Sequence, residues 1–297
     1  MIPDGALCLD KPEGPTSHDL VAQARRLLGQ PRIGHAGTLD PLATGLLVLL
    51  LGRATRLLRF LDDEPKHYTG SFRLGITTAT DDAAGAPLSE HRGPLPGPDE
   101  VRRAAAAAVG TALQVPPSFS ARKVEGVRAY RLARRGIAVR PAATEVTVSS
   151  LTVFPGETEA AWTFDAVVSG GTYVRALVRD LGAALGCGAT VTALRRESAG
   201  AFHLPAVAVT GDEHADARAW PEAVVPLREL PLALPTLALG DPLLARRFRA
   251  GTPLPWTEPG EGEVAVRDGG GELLGVGLVV SAALRPRVIL ADPQSLW

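Results

Sequence analysis

A glycine-rich segment, GHAGTLDPLATG at positions 34–45, sets His35 and Asp40 in one loop. Its three glycines let backbone approach a ligand closely. Asp40 precedes Pro41, which biases it toward an extended conformation and fixes how its side chain projects. A carboxylate held this way can serve as a nucleophile, a general base or a metal ligand. Taken alone, an aspartate in such a loop more often caps a turn, and a histidine more often bonds a loop carbonyl.

A second group lies in SGGTYVRALVRD at 169–180, where Tyr173 and Arg175 flank the start of a helical pattern. Residues two apart on a helix do not share a face. With Tyr173 at a strand-to-helix junction, both can still address one cleft. Arg175 is suited to hold a carboxylate such as Asp40 by a two-point pair and keep it charged. Tyr68, in KHYTG at 66–70, is either a structural aromatic or a ring partner. His35 and Asp40 with Asp10 also suggest a metal-hydrolase triad, although their spacing matches no familiar ligand set.

The surrounding pattern alternates strands and helices. ALCLD (6–10) reads as a strand, and Thr16 or Ser17 caps a helix that Gly29 stops. Residues 30–45 read as a long loop, 46–51 as a buried strand, 54–61 as a helix and 68–76 as a half-exposed strand. A surface loop is expected over 81–98, then a helix at 99–110 stopped by Gly110, with a break at PPSF (116–119). Strands at 144–154 and 162–168 precede a helix at 172–186 with Thr172 as its cap. A proline-rich boundary over 205–235 leads to short β-runs between 237 and 290, a small barrel or sandwich.

The 297 residues suit one large or two ordinary domains with a core that needs no disulfide or metal staple. The longest aliphatic run, Leu46 to Leu51, is far short of a membrane span, and no secretory signal opens the chain. Cys8 and Cys187 cannot form a disulfide framework, which fits a reducing cytoplasm. Of 31 basic residues only Lys11, Lys66 and Lys123 are lysines, and none follows a glycine, so no phosphate-binding GxxxxGK[ST] loop exists. GxGxxG, HExxH and GxSxG are also missing, which removes the usual support for nucleotide-dependent, zinc-protease and serine-hydrolase chemistry. A net charge of −1 argues mildly against nucleic acid, yet seven positives face one negative between Arg122 and Arg140. That strip, with Tyr130 inside it and Arg195 and Arg196 elsewhere, is either a solvated face or a phosphate track.

Several segments together resemble the bacterial tRNA pseudouridine-55 synthases, the TruB family. They are KPEGPTSH (11–18), GHAGTLDPLATGLLVLLLGRATRL (34–57), KHYTGSFRLGITTATDD (66–82), VPPSFSARKVEGVRAYRLARRG (115–136), SGGTYVRALVRDLG (169–182) and LRRESAGAF (194–202). GELLGVG (271–277) and RPRVIL (285–290) resemble a PUA-type RNA-binding domain.

The resemblance implies an α+β pseudouridine-synthase fold with a mixed, largely antiparallel central sheet flanked by helices. Residues 1–230 would form the catalytic domain, with RNA-binding insertions near 81–98 and 120–140. Residues 231–297 would form a PUA-type β-barrel. It implies isomerisation of a tRNA T-loop uridine after base flipping, in a cytoplasmic monomer that needs neither cofactor nor metal. Asp40 matches the family nucleophile, Tyr68 the tyrosine against the target base, and Arg175 the carboxylate's partner with Tyr173 beside it. Leu194 would line the uracil pocket, and His35 would fill the space of the flipped base. Lys11, Lys123, Arg131, Arg134 and Arg135 are assigned to RNA contact. Phe119 stands where the family commonly has tyrosine, and Arg122 interrupts its SALK. A second reading is a non-catalytic RNA-binding or tRNA-folding protein that uses the same cleft.

Overall fold

A computed structural model describes residues 4–290 apart from 121, 125, 130, 131, 133, 134, 136, 138–140, 205–208, 211–218, 258 and 259. The expected Arg131 and Arg134 contacts therefore lie outside the described residues.

Strand β1 (Gly5–Lys11) leads into helix α1 (Ser17–Leu28), whose ends follow local chemistry. Thr16 and Asp19 form a reciprocal capping box, and Gly29 closes the helix with φ +57°. The stretch expected as one loop over 30–45 instead holds strand β2 (Ile33–Ala36) and the start of β3 (Ala43–Leu51). The two pair antiparallel from Ile33↔Leu51 to Ala36↔Val48, so the loop shrinks to 37–42. β3 does not alternate in polarity because both its faces are covered. Leu47, Leu49 and Leu51 enter the main core, while Leu46, Val48 and Leu50 enter a second one.

The expected helix at 54–61 is a 3-10 helix, Gly52–Phe60. Strand β4 (Lys66–Leu74) follows, then a hairpin of β5 (Ile76–Thr78) and β6 (Pro87–Glu90), of which β6 lies inside the segment expected as loop. Helix α2 (Pro98–Ala107) stops short of Gly110, which instead opens strand β7 (Gly110–Gln114). A two-rung hairpin of β8 (Lys123–Val124) and β9 (Val127–Arg128) begins the basic insertion. Strands β10 (Thr144–Pro155) and β11 (Ala161–Val168) precede helix α3 (Val174–Ala184). Thr172 does not cap α3; Tyr173 occupies the N-cap position in an extended conformation without a side-chain cap. β12 (Ala189–Ala199), β13 (Phe202–His203), β14 (Val209–Thr210) and β15 (Val224–Pro226) complete this part of the chain.

Among the described residues these strands form one mixed sheet of eleven, ordered β14-β1-β3-β12-β4-β11-β10-β7 with β2, β13 and β15 at its side. β12 runs parallel to β3 and antiparallel to β4. It thereby sets Leu194 between Ala43 and Gly70, and Arg196 between Gly45 and Tyr68.

The C-terminal part contains β16 (Thr236–Leu239), helix α4 (Pro242–Arg249), β17 (Leu254–Pro255), β18 (Gly262–Asp268), β19 (Leu273–Val280) and β20 (Ala283–Ile289). Its sheet, ordered β16-β18-β19-β20-β17, is a curled half-barrel among the described residues. Helix α4 was not expected; Asp241 caps it and Phe248 is buried with Leu239, Leu274 and Leu284. The opposite side of the half-barrel contributes Ala265, Leu273, Val276 and Leu290 to the second core, with Leu46, Leu50 and Leu57. Three residues per turn align Arg53, Arg56 and Arg59 along the 3-10 helix. Arg53 donates to the Leu290 carbonyl, Arg56 to that of Ile289 at 2.5 Å, and Arg59 pairs with Glu263 at 2.6 Å.

Candidate active site

The loop bearing Asp40 is held from beneath by buried polar side chains. Lys11 is fully buried, and its ammonium donates to the carbonyls of Pro12 (2.9 Å), Pro41 (3.2 Å) and Ala43 (2.7 Å). All three of its protons are thus satisfied, as a buried cation requires. Burial pushes the Lys11 pKa down to about 8, against the pull of Asp40, Glu13 and Asp19. The hydroxyl of Ser17 accepts from the Leu39 N–H at 2.9 Å. Arg196 donates to the carbonyls of Gly37 (3.0 Å) and Leu46 (2.7 Å), and the Gly14 N–H donates to Pro41 at 2.9 Å. At Gly45, φ is +92° and a Cβ would lie 2.3 Å from the Arg196 carbonyl, so only glycine fits between β3 and β12.

One residue expected at the RNA surface, Lys11, is buried. Lys11 supports the Asp40 loop from inside, because three backbone carbonyls replace the water it would otherwise need. Arg196 is likewise buried beneath the loop, and Arg195 turns to Asp10, gripping both its oxygens at 2.9 Å. That pair also removes Asp10 from the metal-triad arrangement. Among the described residues no cluster of three or more His, Cys, Asp or Glu side chains is arranged to hold a metal.

Above this floor, Arg175 meets Asp40 through two parallel bonds, Nε to Oδ2 at 2.8 Å and Nη2 to Oδ1 at 2.9 Å. Nη2 also donates to the Phe119 carbonyl at 3.0 Å, and Nη1 to that of Thr80 at 2.6 Å. Asp82 lies 3.5 Å from Nη1. The guanidinium thus faces two carboxylates and two carbonyls, with an acceptor for each direction of its fork. Arg175 is 3% exposed, whereas the Asp40 side chain is 33% exposed. The arginine is locked and the carboxylate can still be reached.

Both insertions converge on α3. Asp82 accepts from the Thr80 hydroxyl (2.5 Å) and the Ala84 N–H (3.1 Å), which fixes it against Arg175. Asp81, at φ +60°, turns the other way and pairs with Arg179 at 3.0 Å. Burial pushes the Asp81 carboxyl up, opposed by Arg179. Arg179 also donates to the Val115 carbonyl at 2.9 Å. The buried amide of Gln114 accepts from the Tyr173 N–H (2.8 Å) and donates to the Tyr173 carbonyl (3.2 Å). This two-point contact holds Tyr173 extended at the head of α3, so Tyr173 and Arg175 need not share a helix face.

Tyr68 and Leu194 sit on adjacent strands in the core beneath the loop, together with Leu39 and Ala43. His35 lies on β2, half-buried, with its ring edge-on to His18 at 5.5 Å. Lys123 falls in β8, and Arg135 is exposed. Arg122, the departure from SALK, donates to Thr144 at 3.2 Å. Phe119 contributes its backbone carbonyl to Arg175, a role independent of its side chain. Asp82, Gln114, Arg179 and Ser17 went unassigned in the sequence; the paired acids of TTATDD were the one local signal. An open cavity of about 550 Å³ lies between the insertions, bordered by Asp81, Arg179, Leu88 and Leu113, and does not include Asp40.

A family model described as TruB family pseudouridylate synthase (N terminal domain) matches residues 25–174. A second, described as tRNA pseudouridylate synthase B C-terminal domain, matches residues 175–230. The chain belongs to the TruB family. This member is 39% identical over 294 residues to the tRNA pseudouridine synthase B of Solibacter usitatus (strain Ellin6076), covering 97% of this chain and 100% of that one. It is 47% identical over 241 residues to the tRNA pseudouridine synthase B of Thermobifida fusca (strain YX), covering 76% of this chain and 82% of that one. Among solved structures it is similar to a chain of a Cbf5-Nop10-Gar1 complex, with TM-score 0.73 and 24% identity over 99% of this chain and 87% of that chain. A chain of an H/ACA RNP bound to a substrate RNA containing 2'-deoxyuridine gives TM-score 0.72 and 23% identity, covering 100% and 89%. These two likenesses establish that the TruB member has the pseudouridine-synthase fold.

Proposed function

We propose that this chain isomerises uridine 55 in the T-loop of tRNA to pseudouridine, with Asp40 as the nucleophile. The observation that carries the reading is the fork of Arg175 on Asp40, which aims one reachable carboxylate from an immobilised loop. The net change breaks the bond between ribose C1′ and uracil N1 and forms one between C1′ and C5. The C5 proton is lost and N1 gains one, so the reaction is redox-neutral and needs no cofactor. Asp40 attacks either the ring or the ribose carbon, and Arg175 holds its oxygens in a fixed plane.

A T-loop base must leave its stack, at a cost of a few kcal/mol. Stacking on Tyr68 and occupation of the vacated space by His35 offset part of that cost. Leu194 lines the uracil pocket, and Tyr68 takes part in proton transfer, with Tyr173 beside it. Lys123, Arg131, Arg134 and Arg135 track phosphates from the 120–140 insertion, in a partner read by shape and unpaired bases. We assign residues 1–230 to catalysis and 231–297 to a PUA-type RNA-binding unit, in a monomeric cytoplasmic enzyme. No helix among the described residues is long and apolar enough to cross a membrane.

The test is incubation with an unmodified T-stem-loop transcript, followed by mapping of pseudouridine at single-nucleotide resolution. Pseudouridine at the T-loop uridine, lost in Asp40→Asn, is the expected result. Binding without turnover by the parent protein would favour a non-catalytic RNA-binding role instead.

A further inference from the structure

We propose that Arg179 is a positioning residue for this reaction, setting the register of Arg175 by locking both RNA-binding insertions to helix α3. The proposal rests on the isomerase reading above and concerns a residue that does not touch Asp40.

Arg175 and Arg179 lie four residues apart on α3, hence on one face and one turn apart. Each is the middle of a three-part rung. The inner rung runs from Asp82 through Arg175 to the carbonyl of Phe119. The outer rung runs from Asp81 through Arg179 to the carbonyl of Val115. The two carboxylates are consecutive in the first insertion, and the two carbonyls lie at the root of the second. One helix face therefore fastens both insertions, and the outer rung fixes the spacing at which the inner one can close.

Two costs are concentrated at Asp81. Its backbone is left-handed (φ +60°), which aspartate tolerates better than most side chains but still at some cost, and its side chain is 15% exposed. The desolvation of the Asp81 carboxylate is answered by Arg179, so the pair is built into the fold and is not a free surface contact. Arg179 is itself held further by Asp180 at 2.9 Å, so its guanidinium is fixed from three directions.

The experiment uses the full chain with Arg179→Met, Arg179→Lys, Asp81→Asn and the Arg179→Met/Asp81→Asn double variant. It measures tRNA Kd, the single-turnover rate at saturating tRNA, and Tm. Arg179→Met is expected to slow the saturated rate about tenfold or more while Kd stays within about threefold, as displaced reacting groups do. Arg179→Lys should recover part of the rate by restoring the pair with Asp81. The double variant should be no slower than Arg179→Met, since both changes break one rung. A saturated rate within twofold of the parent, measured well below Tm, would overturn the proposal. So would a loss confined to Kd, or a lysine variant no faster than methionine. If Arg179→Met does not fold, Asp81→Asn keeps the side-chain shape and carries the same test. A parent inactive on tRNA would sink the isomerase reading as well, whereas an active parent with unaffected variants would sink this proposal alone.

Discussion

Arg175 spends its Nε and Nη2 protons on the two oxygens of Asp40, at 2.8 and 2.9 Å, while its remaining donors hold Thr80 and Phe119. A lysine offers one point charge and cannot span the same acceptors. Arg175→Lys is expected to lower the single-turnover rate by about 10²-fold or more, since both oxygens of Asp40 lose their fixed orientation. Single-turnover assays at saturating tRNA check this; a rate within threefold of the parent would dissolve the orienting role.

Asp40→Asn replaces an acceptor-only carboxylate with an amide whose NH2 opposes the arginine donors. Turnover should fall to background while tRNA affinity stays within about threefold, because the loop is held by Lys11, Ser17 and Arg196 rather than by Asp40. Filter binding beside tritium-release assays separates the two effects.

Lys11 carries a pH signature. Its folded pKa is lowered from 10.5 to about 8 by burial, so between those values the unfolded chain binds the extra proton. Stability must then rise with pH across that window, by about 1 kcal/mol per unit. Relative to Lys11→Met, the parent is expected to gain stability from pH 8 to 10 in urea titrations. A constant difference between the two proteins over that range would contradict it.

Gly45→Ala would drive a methyl group into the Arg196 carbonyl, at 2.3 Å, from a left-handed backbone. The cost is expected at about 2–4 kcal/mol, from steric overlap and strain together. Chemical denaturation measures it, and activity should fall with it because β3 must shift along β12.

Removing residues 237–297 would uncover Leu46, Leu50 and Leu57, which share a core with the half-barrel. The truncated protein is expected to lose thermal stability and to aggregate, so its RNA affinity cannot be read as a simple binding loss. Arg285→Glu with Arg287→Glu, two exposed positions on β20, tests RNA contact without disturbing that core. A salt dependence of tRNA binding identical to the parent's would speak against contact there.

What could be read from the sequence was what neighbouring residues decide. Thr16, Asp19 and Gly29 announce α1 because capping acts within a few residues. Asp40 stood out because its glycines and Pro41 are adjacent in the chain. The burial of Lys11 was not legible because it depends on carbonyls about 30 residues away, at Pro41 and Ala43. Strand β2 was hidden because its partner, Val48 to Leu51, lies beyond the loop it closes. Thr80 and Asp81 meet Arg175 and Arg179 across sequence separations of 95 and 98 residues, which no local pattern reveals. Helix α4 escaped notice because its apolar residues, Ala245 and Phe248, resemble the short β-runs around them.

The position of β12 also dictates when this protein can become active. Without it, β1 and β3 would form one sheet, and β4, β11, β10 and β7 another, with no strand pairing between them. Asp40 belongs to the first half and Tyr68 to the second, while Arg175 rides on α3, which packs against β12 itself. Pairing β3 with β12 closes a separation of about 150 residues, the kind of contact that folds slowly and late. A nascent chain that has not yet delivered residue 196 beyond the ribosome thus has Asp40 and Tyr68 on strands that no pairing joins. Assembly of the site in this architecture therefore waits for β12, about two thirds of the way along the chain.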